Sequence, residues 1–182
     1  MKIVAETERL ILREIQLTDV DGIFELDADP EVHRYLGNKP VTGKDQVVTQ
    51  INAIRQQYIN NGIGRWAIID RKTGGFIGWT GLKFVTELIN NHRNYYDLGY
   101  RLIRRYWGRG IATETAHVSL QYAFNKINVN EVYAMADCEN VASNRILQKV
   151  GLNYIETFDL EGIKHNWYKI EKTGFENKIP DR

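Results

Sequence analysis

Gly108 and Gly110 stand one residue apart, between an apolar strand-like run at 98–103 and a helical run that reaches about Phe124. Glycines at that spacing let the backbone turn sharply and come close to a ligand. The helix start behind them, Ile111, Ala112 and Thr113, offers N–H groups that no intrahelical carbonyl satisfies, at the positive end of the helix dipole. Arg104, Arg105 and Arg109 add fixed positive charge. Such a turn is an anion cradle suited to a pyrophosphate. Two familiar phosphate loops do not fit it. A P-loop ends on Gly-Lys-Ser/Thr, which Ile111-Ala112-Thr113 does not supply. A Rossmann loop has Gly or Ala at its sixth position, where this chain has Thr113. A strand-to-helix turn that binds nothing is the plainer alternative.

The spacing Arg105-x-x-Gly108-x-Gly110-x-Ala112 resembles the Q/R-x-x-G-x-G/A signature of the GNAT superfamily of N-acetyltransferases, which hold acetyl-CoA there. A second segment, Asn140-x-x-Ser143-x-x-x-Leu147-x-Lys149-x-Gly151-Leu152, resembles the later motif of the same superfamily. Thr7-Glu8-Arg9-Leu10-Ile11-Leu12-Arg13 resembles the opening strand of its RimJ/RimL-like branch, whose named members acetylate the N-termini of ribosomal proteins. Asp97-Leu98-Gly99-Tyr100-Arg101-Leu102 resembles that branch's E-I-G-Y-W-L strand, with Asp for the usual Glu. The resemblance covers about residues 7–172 in the family's order.

Amide formation from a thioester needs a held donor, a neutral amine, a stabilised carbonyl oxygen and a thiolate that is accommodated or protonated. The resemblance distributes these tasks. Backbone N–H groups over 105–113 face the pyrophosphate. Leu102 and Ile103 offer backbone groups to the pantetheine amides and the thioester carbonyl. Asn140 matches the family asparagine that contacts the cofactor arm, and it reads equally as a helix N-cap. Ser143 matches the serine proposed to protonate the leaving thiolate in RimL-like enzymes, although serine is also common at a helix start. Many GNAT enzymes use a tyrosine four residues before the motif glycine, and that position is Leu147 here. Tyr154 is either a substitute acid or a strand core residue. Asp97 takes the place of the family's strand carboxylate as the base, or is a solvent-facing strand acid. An α-amine titrates near ~8 and a lysine amine near ~10.4. A short, water-mediated base therefore suits an N-terminal α-amine better than a lysine. The acceptors implied are a peptide N-terminus or a small amine such as a polyamine or aminoglycoside. A non-catalytic CoA-binding regulatory module would keep the glycine loop and dispense with the rest.

Composition bounds what else this chain does. Its 182 residues suggest one domain over 1–172 and a polar C-terminal tail over 173–182. The formal net charge of +1 leaves no basic excess for general nucleic-acid binding. A single cysteine, Cys138, makes no internal disulfide, and His33, His92, His117 and His165 show no metal spacing, so no metal is expected. No apolar run approaches the ~18 residues of a membrane span, and no signal peptide precedes Thr7, so the expected location is cytoplasmic. Apolar residues on both sides of the terminal hairpin, Tyr154, Ile155, Phe158 and Ile163, suggest a homodimer.

The elements that must position these residues follow from periodicity. Strands are expected at 9–14, 66–70, 76–85, 94–103, 131–136, 153–158 and 165–170. Helices are expected at 18–28 with Thr18 as N-cap, from Pro30, around 47–58, over 111–124 and over 142–150. A meander feeding one strand–helix–strand unit is not a doubly wound sheet. It predicts an α/β (α+β) fold of the GNAT type: a mixed, mostly antiparallel sheet with helices on both faces. The resemblance adds a splayed parallel pair, 94–103 and 131–136, whose gap admits the pantetheine arm.

Overall fold

In the computed structural model, which describes residues 2–176, the chain opens on an edge strand, β1 (Ile3–Glu6), antiparallel to β2 (Leu10–Glu14). β1 is not among the strands read from the sequence. None of its residues is buried, so its side-chain pattern carries no core signal. The next helix begins later than expected. Leu17–Asp19 forms a 3-10 turn and α1 runs over Val20–Asp27. Thr18 does not cap it. Asp19 holds the N-cap position without a side-chain cap bond to α1: its Oδ2 accepts from the Gln16 N–H at 2.8 Å, closing the 3-10 turn, while Arg13 holds both carboxylate oxygens at 2.7 and 2.6 Å. These charge-assisted bonds outweigh a threonine cap.

α2 (Pro30–His33) starts as predicted, with proline in its first turn and the Asp29 side chain accepting from Glu31 N–H at 2.9 Å. α3 (Lys44–Asn61) ends at Gly62. β3 (Arg65–Asp70) and β4 (Phe76–Val85) form the expected hairpin, and β5 (Tyr95–Leu102) follows. α4 (Ile111–Tyr122) continues into a π-helical turn at Ala123–Ile127. Then come β6 (Glu131–Asp137), α5 (Val141–Lys149), β7 (Asn153–Leu160), β8 (Ile163–Glu171) and α6 (Lys172–Glu176).

The strands make one sheet in the order β1-β2-β3-β4-β5-β6-β8-β7. Every neighbour is antiparallel except β5 and β6. That parallel pair meets in register only at Asp97↔Tyr133 and then separates toward the carboxyl ends of both strands. This is the mixed, mostly antiparallel sheet that the sequence pattern predicts, with the splayed parallel pair that the GNAT resemblance adds.

Alternation along the strands decides which helix covers which face. Leu10, Leu12, Trp66, Ile68, Leu98 and Leu102 pack with α4 and α5. Ala67 and Ile69 point the other way, against Ile23 of α1 and Val47 and Ile51 of α3. The last described segment is ordered by one residue. Phe175 is 2% exposed and its ring lies 5.1 Å from that of Phe124. The polar tail read from the sequence at 173–182 thus begins as part of α6, and residues 177–182 lie outside the described residues.

Candidate active site

The splay leaves the edge of β5 open where two functional segments converge. In the antiparallel pairing with β4, the Ile103 N–H donates to Ile77 O at 3.0 Å. Alternate residues of the strand, Tyr100 and Leu102, therefore aim their backbone groups at the other edge, toward β6. With the β5–β6 ladder ended at Asp97, those groups have no strand to pair with. The Leu102 carbonyl accepts from the Trp107 indole N–H at 2.8 Å. Of the two residues singled out for the pantetheine arm, Ile103 is committed to the ladder and Leu102 keeps its N–H toward the gap.

The glycine loop follows directly. A 3-10 turn at Arg104–Tyr106 leads into Gly108 and Gly110, both left-handed at φ 72° and 74°. Gly110 is the residue from which α4 starts. The backbone N–H groups of residues 108–113 find no acceptor among the described residues. A row of unpaired donors at a helix N-terminus is what an anion such as a pyrophosphate needs. Arg109 pairs with no acid among the described residues, its guanidinium lying 5.5 Å from the Tyr106 ring centre. Arg104 bonds Asp29 at 3.2 Å and Arg105 is paired with Glu25. Arg104, Arg105 and Glu25 face solvent while Asp29 is mostly covered, so the Arg105–Glu25 pair exchanges at little cost and the Arg104 guanidinium is free to swing outward from its partner.

Asn140 and Ser143 sit at the start of α5, across the gap from β5. Asn140 Oδ1 accepts from Ser143 N–H at 3.1 Å, so this side chain is an N-cap here, with its amide NH2 still free to donate. Ser143 Oγ lies 3.1 Å from the Tyr100 hydroxyl, which also donates to Ser143 O at 3.1 Å. Burial pushes the Tyr100 phenol well above its usual range, and its bond to Ser143 opposes that in part. Tyr154 is not brought to this pair. It is 51% exposed on β7 and its hydroxyl bonds Thr157 Oγ1 at 3.0 Å. Behind α5, Asn144 ties the turn together. Its amide donates to Asp137 O and Asn140 O, both at 2.8 Å, and its Oδ1 accepts from Asn166 and Tyr168.

Asp97 lies on the opposite face of β5, with the odd-numbered residues. Its Oδ2 is paired with Arg65, and both side chains are nearly buried. Oδ1 receives no hydrogen bond among the described residues and is not sealed from solvent. Burial raises the Asp97 pKa and the Arg65 charge draws it back down. On the same face Arg101 lies over Trp79 at 5.1 Å and bonds Asp27 at 2.6 Å. His33 Nε2 stands 3.6 Å from the same Asp27 oxygen, and neither ring nitrogen of this buried histidine has a hydrogen-bond partner.

Three residues escape the sequence reading. Tyr100 reads as one more core aromatic in a strand, yet it bridges the gap to α5. Arg9 reads as part of an opening strand, yet its guanidinium reaches the glycine loop, donating to Arg109 O at 3.0 Å and Glu114 Oε2 at 2.8 Å. Arg65 carries no motif at all. Among the described residues no group of three or more His, Cys, Asp or Glu side chains is placed to hold a metal ion, and no helix is long and apolar enough to cross a membrane.

A sheet that splays beside a glycine loop is the arrangement that the GNAT resemblance predicts. The family model of the acetyltransferase (GNAT) domain matches residues 9–153, and the chain belongs to this family. It is 30% identical over 163 residues to the uncharacterized N-acetyltransferase p20 of Bacillus licheniformis, covering 90% of this chain and 86% of that one. Its fold is shared by the spermidine N-acetyltransferase of Vibrio cholerae, solved in complex with CoA and spermine, at TM-score 0.75 and 20% identity over 94% of this chain and all (100%) of that one. The ribosomal-protein-S5-alanine acetyltransferase of Vibrio fischeri is similar at TM-score 0.76 and 15% identity, covering 94% and 97%.

Proposed function

We propose that this chain is an acetyl-CoA-dependent N-acetyltransferase that moves an acetyl group by direct transfer to a primary amine, of the protein N-terminal type found in the RimJ/RimL-like branch. The observation that carries the reading is the open edge of β5, with the unpaired N–H row of residues 108–113 at one end and Ser143 facing it across the gap. Acetyl-CoA, when bound, supplies an acetyl group activated as a thioester. Residues 108–113, Arg104, Arg105 and Arg109 hold its phosphates, while the Leu102 N–H and Tyr100 backbone groups meet the arm. Asn140 contributes its free amide NH2. Asp97 Oδ1 takes the amine proton, directly or through water. Ser143 Oγ–H supplies the proton for the thiolate, and the Tyr100 hydroxyl at 3.1 Å holds that oxygen in place. Tyr154, bonded to Thr157, serves as acid only by turning away from that partner.

The second reading is a small-amine acceptor, supported by the resemblance of the fold to a spermidine N-acetyltransferase. The charges give a polycation little to hold: Asp27 is buried and paired with Arg101, while Glu25 and Asp29 are paired with Arg105 and Arg104 until those arginines turn to the phosphates. An N-terminal α-amine needs no such acidic cluster. A panel of N-terminal peptides, spermidine and aminoglycosides, read by thiol release from acetyl-CoA, tests this directly. Release with peptides bearing a free α-amine, and not with their N-blocked forms, is expected. Release with spermidine alone would replace the first reading by the second.

A further inference from the structure

Arg65 starts β3 on the sheet face covered by α1 and α3, and its neighbours in register are Gly81 on β4 and Gly99 on β5. Two residues without side chains thus lie in the row ahead of it. They leave a bare floor across two strands, and the arginine runs along it to the splay. Its guanidinium donates to Gly81 O and, at 2.7 Å, to Asp97 O, and it pairs with Asp97 Oδ2. Trp79 walls one side, 5.4 Å from Cζ. The fit is tight. A Cβ at Gly99 would stand 2.7 Å from Nη2 and 2.8 Å from Cζ. Asp97 is also the last β5 residue in register with β6, so the row delivers the charge to the point where the strands part.

We propose that Arg65 is a positioning residue for the acceptor end of the site: it fixes the Asp97 carboxylate at the mouth of the splay, Oδ2 held and Oδ1 left open to the incoming amine. The inference rests on the acetyltransferase reading given above. A carboxylate tethered by one oxygen keeps one orientation, and the adjacent guanidinium opposes the rise in pKa that burial causes. The other groups near Asp97 do not replace Arg65. Lys83, its partner in register on β4, adds a second and weaker positive influence. The phenols of Tyr95 on its own strand and Tyr133 on β6 are raised by burial and stay neutral near pH 7.

The test needs a readout that a mere staple between strands would leave unmoved. The Asp97 carboxyl is titrated by 13C NMR in the full chain for wild type, Arg65→Lys, Arg65→Met and Gly99→Ala, with acetyl-CoA binding measured in parallel. Gly99→Ala displaces only the far end of a flexible side chain and so spares the fold if Arg65→Met does not. The Asp97 midpoint is expected to rise by about one pH unit or more in Gly99→Ala and Arg65→Met, and by less in Arg65→Lys. The kcat of Gly99→Ala is expected to fall about tenfold near pH 7 and to recover as the pH rises, with acetyl-CoA affinity unchanged. An unmoved Asp97 midpoint in folded Gly99→Ala, with wild-type binding intact, overturns the role of Arg65 alone. Failure of the wild type to bind acetyl-CoA overturns the reading of the site itself.

Discussion

The Tyr100 hydroxyl and Ser143 Oγ meet at 3.1 Å across the gap between β5 and α5. The contact joins the strand that bears the open edge to the helix that closes the site. It also fixes the orientation of the serine hydroxyl at the gap. If Ser143 is the acid, Ser143→Ala lowers kcat by roughly 10²-fold and leaves acetyl-CoA affinity nearly unchanged, the size of effect one general acid supplies. Tyr100→Phe, which keeps the ring and removes only the hydroxyl, lowers kcat by about tenfold. Steady-state kinetics beside calorimetry separate the two quantities. Full turnover in a folded Ser143→Ala variant would pass the acid role to Tyr154 or to water.

Gly110 tests the cradle. It stands at φ 74° where α4 begins, and only the Arg9 guanidinium approaches the place a Cβ would occupy, at 3.7 Å. Gly110→Asp adds a negative charge facing the phosphates with room for its Cβ, though the left-handed φ strains any side chain there, so the effect is read on a variant shown to be folded. Acetyl-CoA binding is expected to weaken by ~2 kcal/mol or more, the scale of a lost set of charge-assisted contacts. Unchanged affinity in calorimetry would move the phosphate site elsewhere.

These two sites differ in how far the sequence reveals them. The glycine loop is local: its glycines, arginines and helix start lie within a dozen residues, and each acts through its own backbone. Pairings across the sheet leave no such trace. Arg65 matters because Gly81 and Gly99 fall beside it in register, and register is a property of three strands together. Tyr100 looks like a core aromatic because alternation says which face it takes and not what waits there. Asn140 shows the same limit from the other side. Its motif predicts a helix start and a cofactor contact alike, and the fold uses its Oδ1 for the first while its amide stays open for the second. β1 and the helical turn at Phe175 leave no trace in the sequence, since elements of four and five residues are too short to show a period.

His33 predicts a pH dependence of stability. Burial and the Arg101 charge lower its pKa from the ordinary 6.5, against a weaker pull from Asp27. As pH falls, the unfolded chain therefore takes up the proton first. The stability tied to His33 is whole above about 6.5 and is lost as the pH drops through the window between that value and the lower folded one. Thermal melts over this window should show wild-type Tm falling with a steeper slope than His33→Leu. Parallel slopes would remove His33 from the account.

The terminal hairpin predicts assembly. Tyr154 and Ile155 on the edge strand β7 are 51% and 48% exposed. A homodimer through this edge would cover them. Light scattering at micromolar protein is expected to give twice the 21.1 kDa chain mass, and Ile155→Lys to return the monomer. A wild-type monomer would refute the dimer and leave the chemistry untouched.

The most direct test of the central claim is a calorimetric titration of the wild-type chain with acetyl-CoA, followed by thiol release on adding a peptide with a free α-amine. Saturable binding at one site per chain, weakened in Gly110→Asp, and thiol release that stops when the α-amine is blocked are the predicted results. No binding up to ~1 mM acetyl-CoA, or binding with no thiol release to any amine, would contradict the proposal that this chain is an acetyl-CoA-dependent N-acetyltransferase.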